Sequence, residues 1–164
     1  LAAAIYGLGM ARKNGVCTLL NPAPAAELPE GMLALCDYVT PNETEAEGLT
    51  GVKVTSVDSA IDAAKALRAA GAGAAIITLG ENGALYHDAE TTIHMPAMSS
   101  GKVIETTGAG DAFNGSFAAA IAEGITPVEA VRFGCAAAGI SVTRSGAANS
   151  MPSRAEIDAR LAQE

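Results

Sequence analysis

Ala74-Ala75-Ile76-Ile77-Thr78-Leu79 is a short, almost unbroken apolar run closed by Gly80. A run of that length reads as a strand, and a strand without polar alternation has to be covered on both faces. Double cover arises when helices alternate with strands along the chain. The rest of the sequence has that rhythm. Leu1 to Lys13 reads as a helix ending near Asn14-Gly15, and Val16 to Leu20 as a strand that runs into Asn21-Pro22-Ala23-Pro24. A short helix over Glu30 to Leu35 and a strand at Tyr38-Val39-Thr40 follow, and Pro41-Asn42 opens another helix. Ser59 to Ala70 is a helix, with Asp62 three residues after Ser59 as a start signal and Gly71 as its stop. Ala84 to His87 and Thr92 to Met95 flank Asp88-Ala89-Glu90 as a hairpin, and Lys102 to Glu105 reads as a further strand. Three helices close the chain: Ala109 to about Glu123, one opened by Thr126-Pro127-Val128-Glu129, and one opened by Ser153-Arg154-Ala155-Glu156. The expected fold class is α/β, three-layer α/β/α with a mostly parallel central sheet, and residues 1–164 are read as one domain portion.

Such sheets bind ligands beyond the carboxyl ends of their strands. Asn21, Asn42, Gly80 and the loop before Asp111 each follow an expected strand, so they are candidates for one edge. Composition narrows the ligand. The net charge is −8 with only 10 basic residues, which gives no electrostatic footprint for nucleic acid. A nucleotide remains compatible, because backbone N–H groups and a metal ion neutralise phosphates locally. No apolar run is long enough to span a bilayer, and the first residues lack a signal-peptide pattern. Three cysteines, Cys17, Cys36 and Cys135, are widely spaced without C-x-x-C and are expected as buried small residues in a reducing cytoplasm. The chain lacks an initiator Met and is expected to be the interior of a longer polypeptide.

The chemistry concentrates in Thr106-Thr107-Gly108-Ala109-Gly110-Asp111-Ala112-Phe113-Asn114-Gly115. Small residues at 108–110 let a ligand approach the backbone, and the helix behind them aims free N–H groups and its positive dipole end at that point. The result suits a transferring phosphoryl group. Asp111, in the first turn, could take a proton from an attacking hydroxyl. The bland alternative is a glycine loop followed by an acidic residue that merely favours the dipole. A dinucleotide fingerprint fits poorly, since Phe113 occupies its third position, and a P-loop is excluded because Val103 follows Gly101-Lys102 and Pro96 stands where the first glycine belongs. H-E-x-x-H and G-x-S-x-G are absent. His87 and His94, both on the expected hairpin, read as surface residues.

Two further segments carry a structural and a functional reading side by side. Asn42 with Glu45 three residues on is an N-cap and its capping-box partner, or a pair that holds Mg²⁺-bound water near phosphates. Thr78-Leu79-Gly80-Glu81-Asn82-Gly83 is a glycine turn between strands, or a loop whose backbone cradles nucleotide phosphates.

Taken together with N-P-A-P at 21–24 and V-T-R-S-G-A at 142–147, these segments resemble the ribokinase-like (PfkB) carbohydrate kinases from about Asn21 to Leu161. The resemblance implies ATP-dependent phosphorylation of a sugar hydroxyl, with ribose the leading sugar. Asp111 would be the base, and Gly108, Ala109 and Gly110 the anion hole. Asn42 and the stretch Thr78, Leu79, Gly80, Glu81, Asn82, Gly83 would contact ATP, with Gly110 and Asp111 beside the phosphates and Cys135 near the base. Glu45 would belong to the Mg²⁺ and phosphate pattern. A potassium site would use Glu105, Thr107, Ser141, Arg144, Gly146 and Ser150, several of them through backbone carbonyls, with Glu105 in place of the family's commoner Asp. Family members are near twice this length, so a C-terminal portion is expected. Neither the N-terminal sugar signature nor the lid appears here, and the parent enzyme would be a homodimer.

Overall fold

A computed structural model of the chain describes residues 1–163. The fold is α/β, built on an open five-stranded sheet. It divides into two compact units, residues 1–79 with 85–94 and residues 80–84 with 95–164. Among the described residues no helix is long and apolar enough to cross a membrane.

The first unit contains the sheet. Helix α1 (Ala2–Lys13) leads through Asn14, whose Nδ2 donates to the Met10 carbonyl, into strand β1 (Leu19–Leu20). Strands β2 (Tyr38–Val39), β3 (Ala74–Thr78), β4 (Ala84–His87) and β5 (Thr92–Met95) follow, and the spatial order is the chain order. Strands β1, β2 and β3 are parallel, with Leu19 opposite Tyr38 and Tyr38 opposite Ala74. The connections into and out of β4 are too short for a crossover, so β4 alone runs against the other four strands and the sheet is mostly parallel.

Helices α2 (Glu43–Thr50) and α3 (Val57–Ala69) pack against β3. Ala46, Ala60, Ala63, Ala64 and Leu67 meet Val39, Ala75, Ile77 and Leu79 in one buried cluster. Alternation along β3 then points Ile76 to the opposite face, where it is also fully buried. The double cover expected from the apolar run is therefore present. Where β2 and β3 begin, the two main chains lie close together: an added Cβ on Gly73 would fall 2.6 Å from the Asp37 carbonyl oxygen.

Helices α4 (Ala109–Ala122), α5 (Pro127–Ser141) and α6 (Arg154–Leu161) build the second unit. Helices α4 and α5 pack face to face because Gly134 leaves room for the Phe113 ring, which an added Cβ would approach to 2.8 Å. Phe113 and Phe117 are buried along that seam. Helix α6 is fastened by Arg154, whose guanidinium lies 4.8 Å from the Phe133 ring centroid and also pairs with Glu123.

Several expected boundaries shift. Helix α3 is capped by Ser56, with Ser59 as the capping-box partner rather than the cap, because the hydroxyl two turns upstream of Ala63 reaches the free N–H groups first. Helix α5 begins on Thr126 with Pro127, but Thr126 makes no side-chain cap. Lys102 to Glu105 is not a strand: the N–H groups of Ile104 and Glu105 both reach the single carbonyl of Val142, which gives no ladder. Cys36 and Cys135 are buried as expected, whereas Cys17 is exposed. His94 is exposed and His87 half-buried, its Nδ1 against the Thr92 hydroxyl at 2.8 Å.

Candidate active site

In the first unit, parallel pairing of β2 and β3 brings Asn42 and Thr78 side by side just beyond the strand ends. The Thr78 N–H reaches the Pro41 carbonyl at 3.0 Å, which fixes that juxtaposition. Asn42 is exposed and caps α2: its Oδ1 accepts the Glu45 N–H at 2.8 Å, and Glu45 Oε2 accepts the Asn42 N–H at 2.9 Å. Glu45 is only 7% exposed. Leu79 places its side chain in the α2–α3 core, because alternation along the strand sends it inward, and only its backbone is left for the expected nucleotide contact.

In the second unit, Gly80, Glu81 and Asn82 form one 3-10 turn closed by the Gly83 N–H on the Gly80 carbonyl at 3.2 Å. Gly83 has φ +93, and an added Cβ would sit 2.0 Å from the Met95 carbonyl oxygen, so this position requires glycine for closeness as well as for conformation. Gly80, Glu81 and Asn82 are exposed.

Helix α4 starts on Gly108 in the left-handed conformation, φ 82, with no side-chain cap. The Ala109 N–H turns back to the Thr106 carbonyl at 3.1 Å, and the Ala112 N–H closes the first turn on the Gly108 carbonyl at 2.8 Å. The N–H groups of Gly110 and Asp111 belong to those that a first helical turn leaves without an intrahelical acceptor. Both residues are exposed, and the space where a Gly110 Cβ would sit is open. Asp111 thus presents a carboxylate beside uncapped N–H groups at a positive helix end. Asn114, which the sequence reading passed over, braces the same turn. Its Nδ2 donates to the Gly110 carbonyl at 2.9 Å, while its Oδ1 is buried without a partner among the described residues. The spacing of four from Gly110 was the available signal.

Cys135, expected beside a nucleotide base, is 5% exposed within α5, and burial pushes its thiol up to about 12. It is packed as a small apolar-like side chain. The six residues expected to hold potassium sit around the end of α5. Ser141 and Ser150 are buried, with their hydroxyls donated to the Ala138 and Ala147 carbonyls. Arg144 pairs with Glu156, and Glu105 binds Ser145 and Gly146. Thr107 donates its hydroxyl to Glu105, and these contacts, led by the Gly146 N–H, hold that carboxyl below its usual range.

The α/β fold on a mostly parallel open sheet is one that solved ribokinases share. The structure of Arabidopsis thaliana ribokinase complexed with ribose and ATP matches with a TM-score of 0.92 at 31% identity, over 97% of this chain and 52% of that one. Phosphofructokinase-2 from Escherichia coli in complex with potassium matches with a TM-score of 0.83 at 27% identity, over 98% of this chain and 51% of that one. In sequence, the ribokinase of Haemophilus influenzae is 46% identical over 147 residues, 90% of this chain and 48% of that protein. Residues 8–154 match the pfkB family of carbohydrate kinases, and the chain belongs to that family. It spans about half the length of the relatives it matches.

Proposed function

We propose that this chain supplies the ATP-binding and phosphoryl-transfer portion of a sugar kinase, with ribose the leading substrate and Asp111 the base. One observation carries the reading. The start of α4 combines a left-handed Gly108, no side-chain cap, an open Gly110 and an exposed carboxylate at Asp111. A helix start without a cap keeps its N–H groups and dipole for an external anion. The transferring phosphoryl group is the anion that family membership nominates.

In this reading the Asp111 carboxylate accepts the proton of the sugar hydroxyl as that oxygen attacks phosphorus, and the N–H groups of Gly110 and Asp111 stabilise charge on the transferring group. Asn42 and the exposed turn at 80–82 are the nucleotide contacts proposed for the first and second units. Magnesium fits in a limited way. Among the described residues no group of three His, Cys, Asp or Glu could form a metal cage. An ion of this kind is held mainly by phosphate oxygens and water, with Glu45 a carboxylate candidate, one of its oxygens already accepting the Asn42 N–H. When bound, Mg²⁺ supplies charge neutralisation across the phosphates.

Sugar-dependent ADP formation tests the proposal: ADP is measured with ATP and Mg²⁺, with and without ribose. Turnover that rises with ribose supports it. A second reading, a nucleotide-binding portion without catalysis of its own, is favoured by the chain's span of about half its relatives. ATP binding with no sugar-dependent ADP would select that reading.

A further inference from the structure

Glu105 lies on the segment that leads into α4, and its carboxylate reaches across to the turn that follows α5. Oε2 accepts the Gly146 N–H at 2.9 Å and the Ser145 hydroxyl at 3.0 Å. The Thr107 hydroxyl donates to the same carboxylate. The main chain is tied to the same place, through the Ile104 and Glu105 N–H groups on the Val142 carbonyl at 2.8 and 3.2 Å. This turn lies directly behind the start of α4: a Cβ on Gly108 would stand 3.2 Å from Ala147 Cα.

The same residues were expected to hold a monovalent cation, and the Escherichia coli relative was solved with potassium. The donor set here fits one poorly. A cation needs oxygen lone pairs turned toward it. Glu105 is the only carboxylate of the expected set, and three donors already aim their positive ends at it. The Ser141 carbonyl accepts the Arg144 N–H at 3.0 Å, and the Arg144 side chain turns away to pair with Glu156. An aspartate at 105 would be one methylene shorter and would leave the turn to be bridged by something else. Glutamate spans the gap itself.

We propose that Glu105 closes the Ser145–Gly146 turn behind Gly108 by direct hydrogen bonds, in place of a bridging monovalent cation, so that the start of α4 is organised without potassium. Glu105 is a positioning residue in this scheme. It acts through the turn and touches no reacting atom.

Amide hydrogen exchange at Gly146 tests this on the chain alone, with neither ATP nor sugar present, so its failure is separate from any failure of the kinase reading. The wild type and Glu105→Asp are compared in potassium chloride and in choline chloride of equal ionic strength, with the α5 amide of Ala136 as the internal control. The expected result is equal Gly146 exchange in both salts for the wild type, and exchange faster by about tenfold or more in choline for Glu105→Asp, since a charge-assisted bond is lost. A wild-type Gly146 amide that slows severalfold and saturably as potassium is added would overturn the proposal. So would a Glu105→Asp variant that exchanges like the wild type. If the Ala136 control shows that the variant has lost its fold, the two-salt comparison on the wild type decides alone.

Discussion

Helix α2 begins on Asn42, whose side chain accepts the Glu45 N–H while Glu45 returns the bond to the Asn42 N–H. Helix α4 begins on Gly108, which has no side chain to cap with, and no neighbour caps it. Both helices carry acidic residues in the first turn, Glu43 and Glu45 in one and Asp111 in the other. In α2 an acidic side chain is folded back onto its own helix, and Glu45 is buried. In α4 it stands in solvent beside open N–H groups. A capped start stabilises the fold, whereas an uncapped one keeps its electrostatic potential for a ligand. An acidic side chain in the first turn thus has a structural role at 45 and a chemical role proposed at 111.

Asp111→Asn probes the larger side of this contrast. Turnover should fall by about 10²–10⁴-fold, the usual contribution of a positioned base. Thermal stability should change little, because Asp111 is exposed. A variant with near-normal turnover would remove the distinction between the two helix starts. Gly108→Ala comes next. Its φ of 82 and the nearby Ala147 backbone make a Cβ costly, by about 1–2 kcal/mol for the left-handed conformation alone. The loss should appear in the melting temperature as well as in turnover.

Asn42→Ala should cost about 1 kcal/mol of stability by uncapping α2. If it also weakens ATP binding, measured by titration calorimetry, Asn42 serves both fold and ligand. If only stability changes, α2 is purely structural and the contrast with α4 is sharper than drawn.

The smallest effect concerns a third helix start. Glu156 completes the α6 capping box, and its carboxyl is held down to about 2, first by the Ser153 N–H, then by Arg144 and the Ser153 hydroxyl. A depressed carboxyl stabilises the fold fully above its unfolded value near 4.5 and loses that contribution as pH falls toward 2. Melting temperature followed from pH 5 to pH 2 should therefore drop more steeply in the wild type than in Glu156→Gln, by a small margin because the pair is exposed.

Much of this was legible before any coordinates. The apolar β3 run, the Asp88–Glu90 hairpin and the Ser153–Glu156 and Asn42–Glu45 capping boxes are local patterns that tertiary structure left intact. Contacts between residues distant in sequence were not legible from local pattern. Glu105 and Gly146 are 41 positions apart; the family resemblance alone grouped them, and the direct carboxylate–amide bond was not foreseen. For Leu79 and Cys135, position in a motif does not tell which way the side chain turns. Leu79 faces inward by strand alternation, and Cys135 is enclosed by helix packing. The strand expected at 102–105 failed for a similar reason. Its apolar pair, Val103 and Ile104, is exposed and has no partner strand to pair with, only the Val142 carbonyl.

The central claim is that the open start of α4 receives the nucleotide's phosphates. Backbone amide chemical shifts recorded while Mg–ATP is titrated into the chain test it directly. The account predicts that the amides of Gly110 and Asp111 move most within the second unit, and that Asp111→Asn preserves those shifts. Saturable ATP binding that leaves both amides unmoved would contradict it.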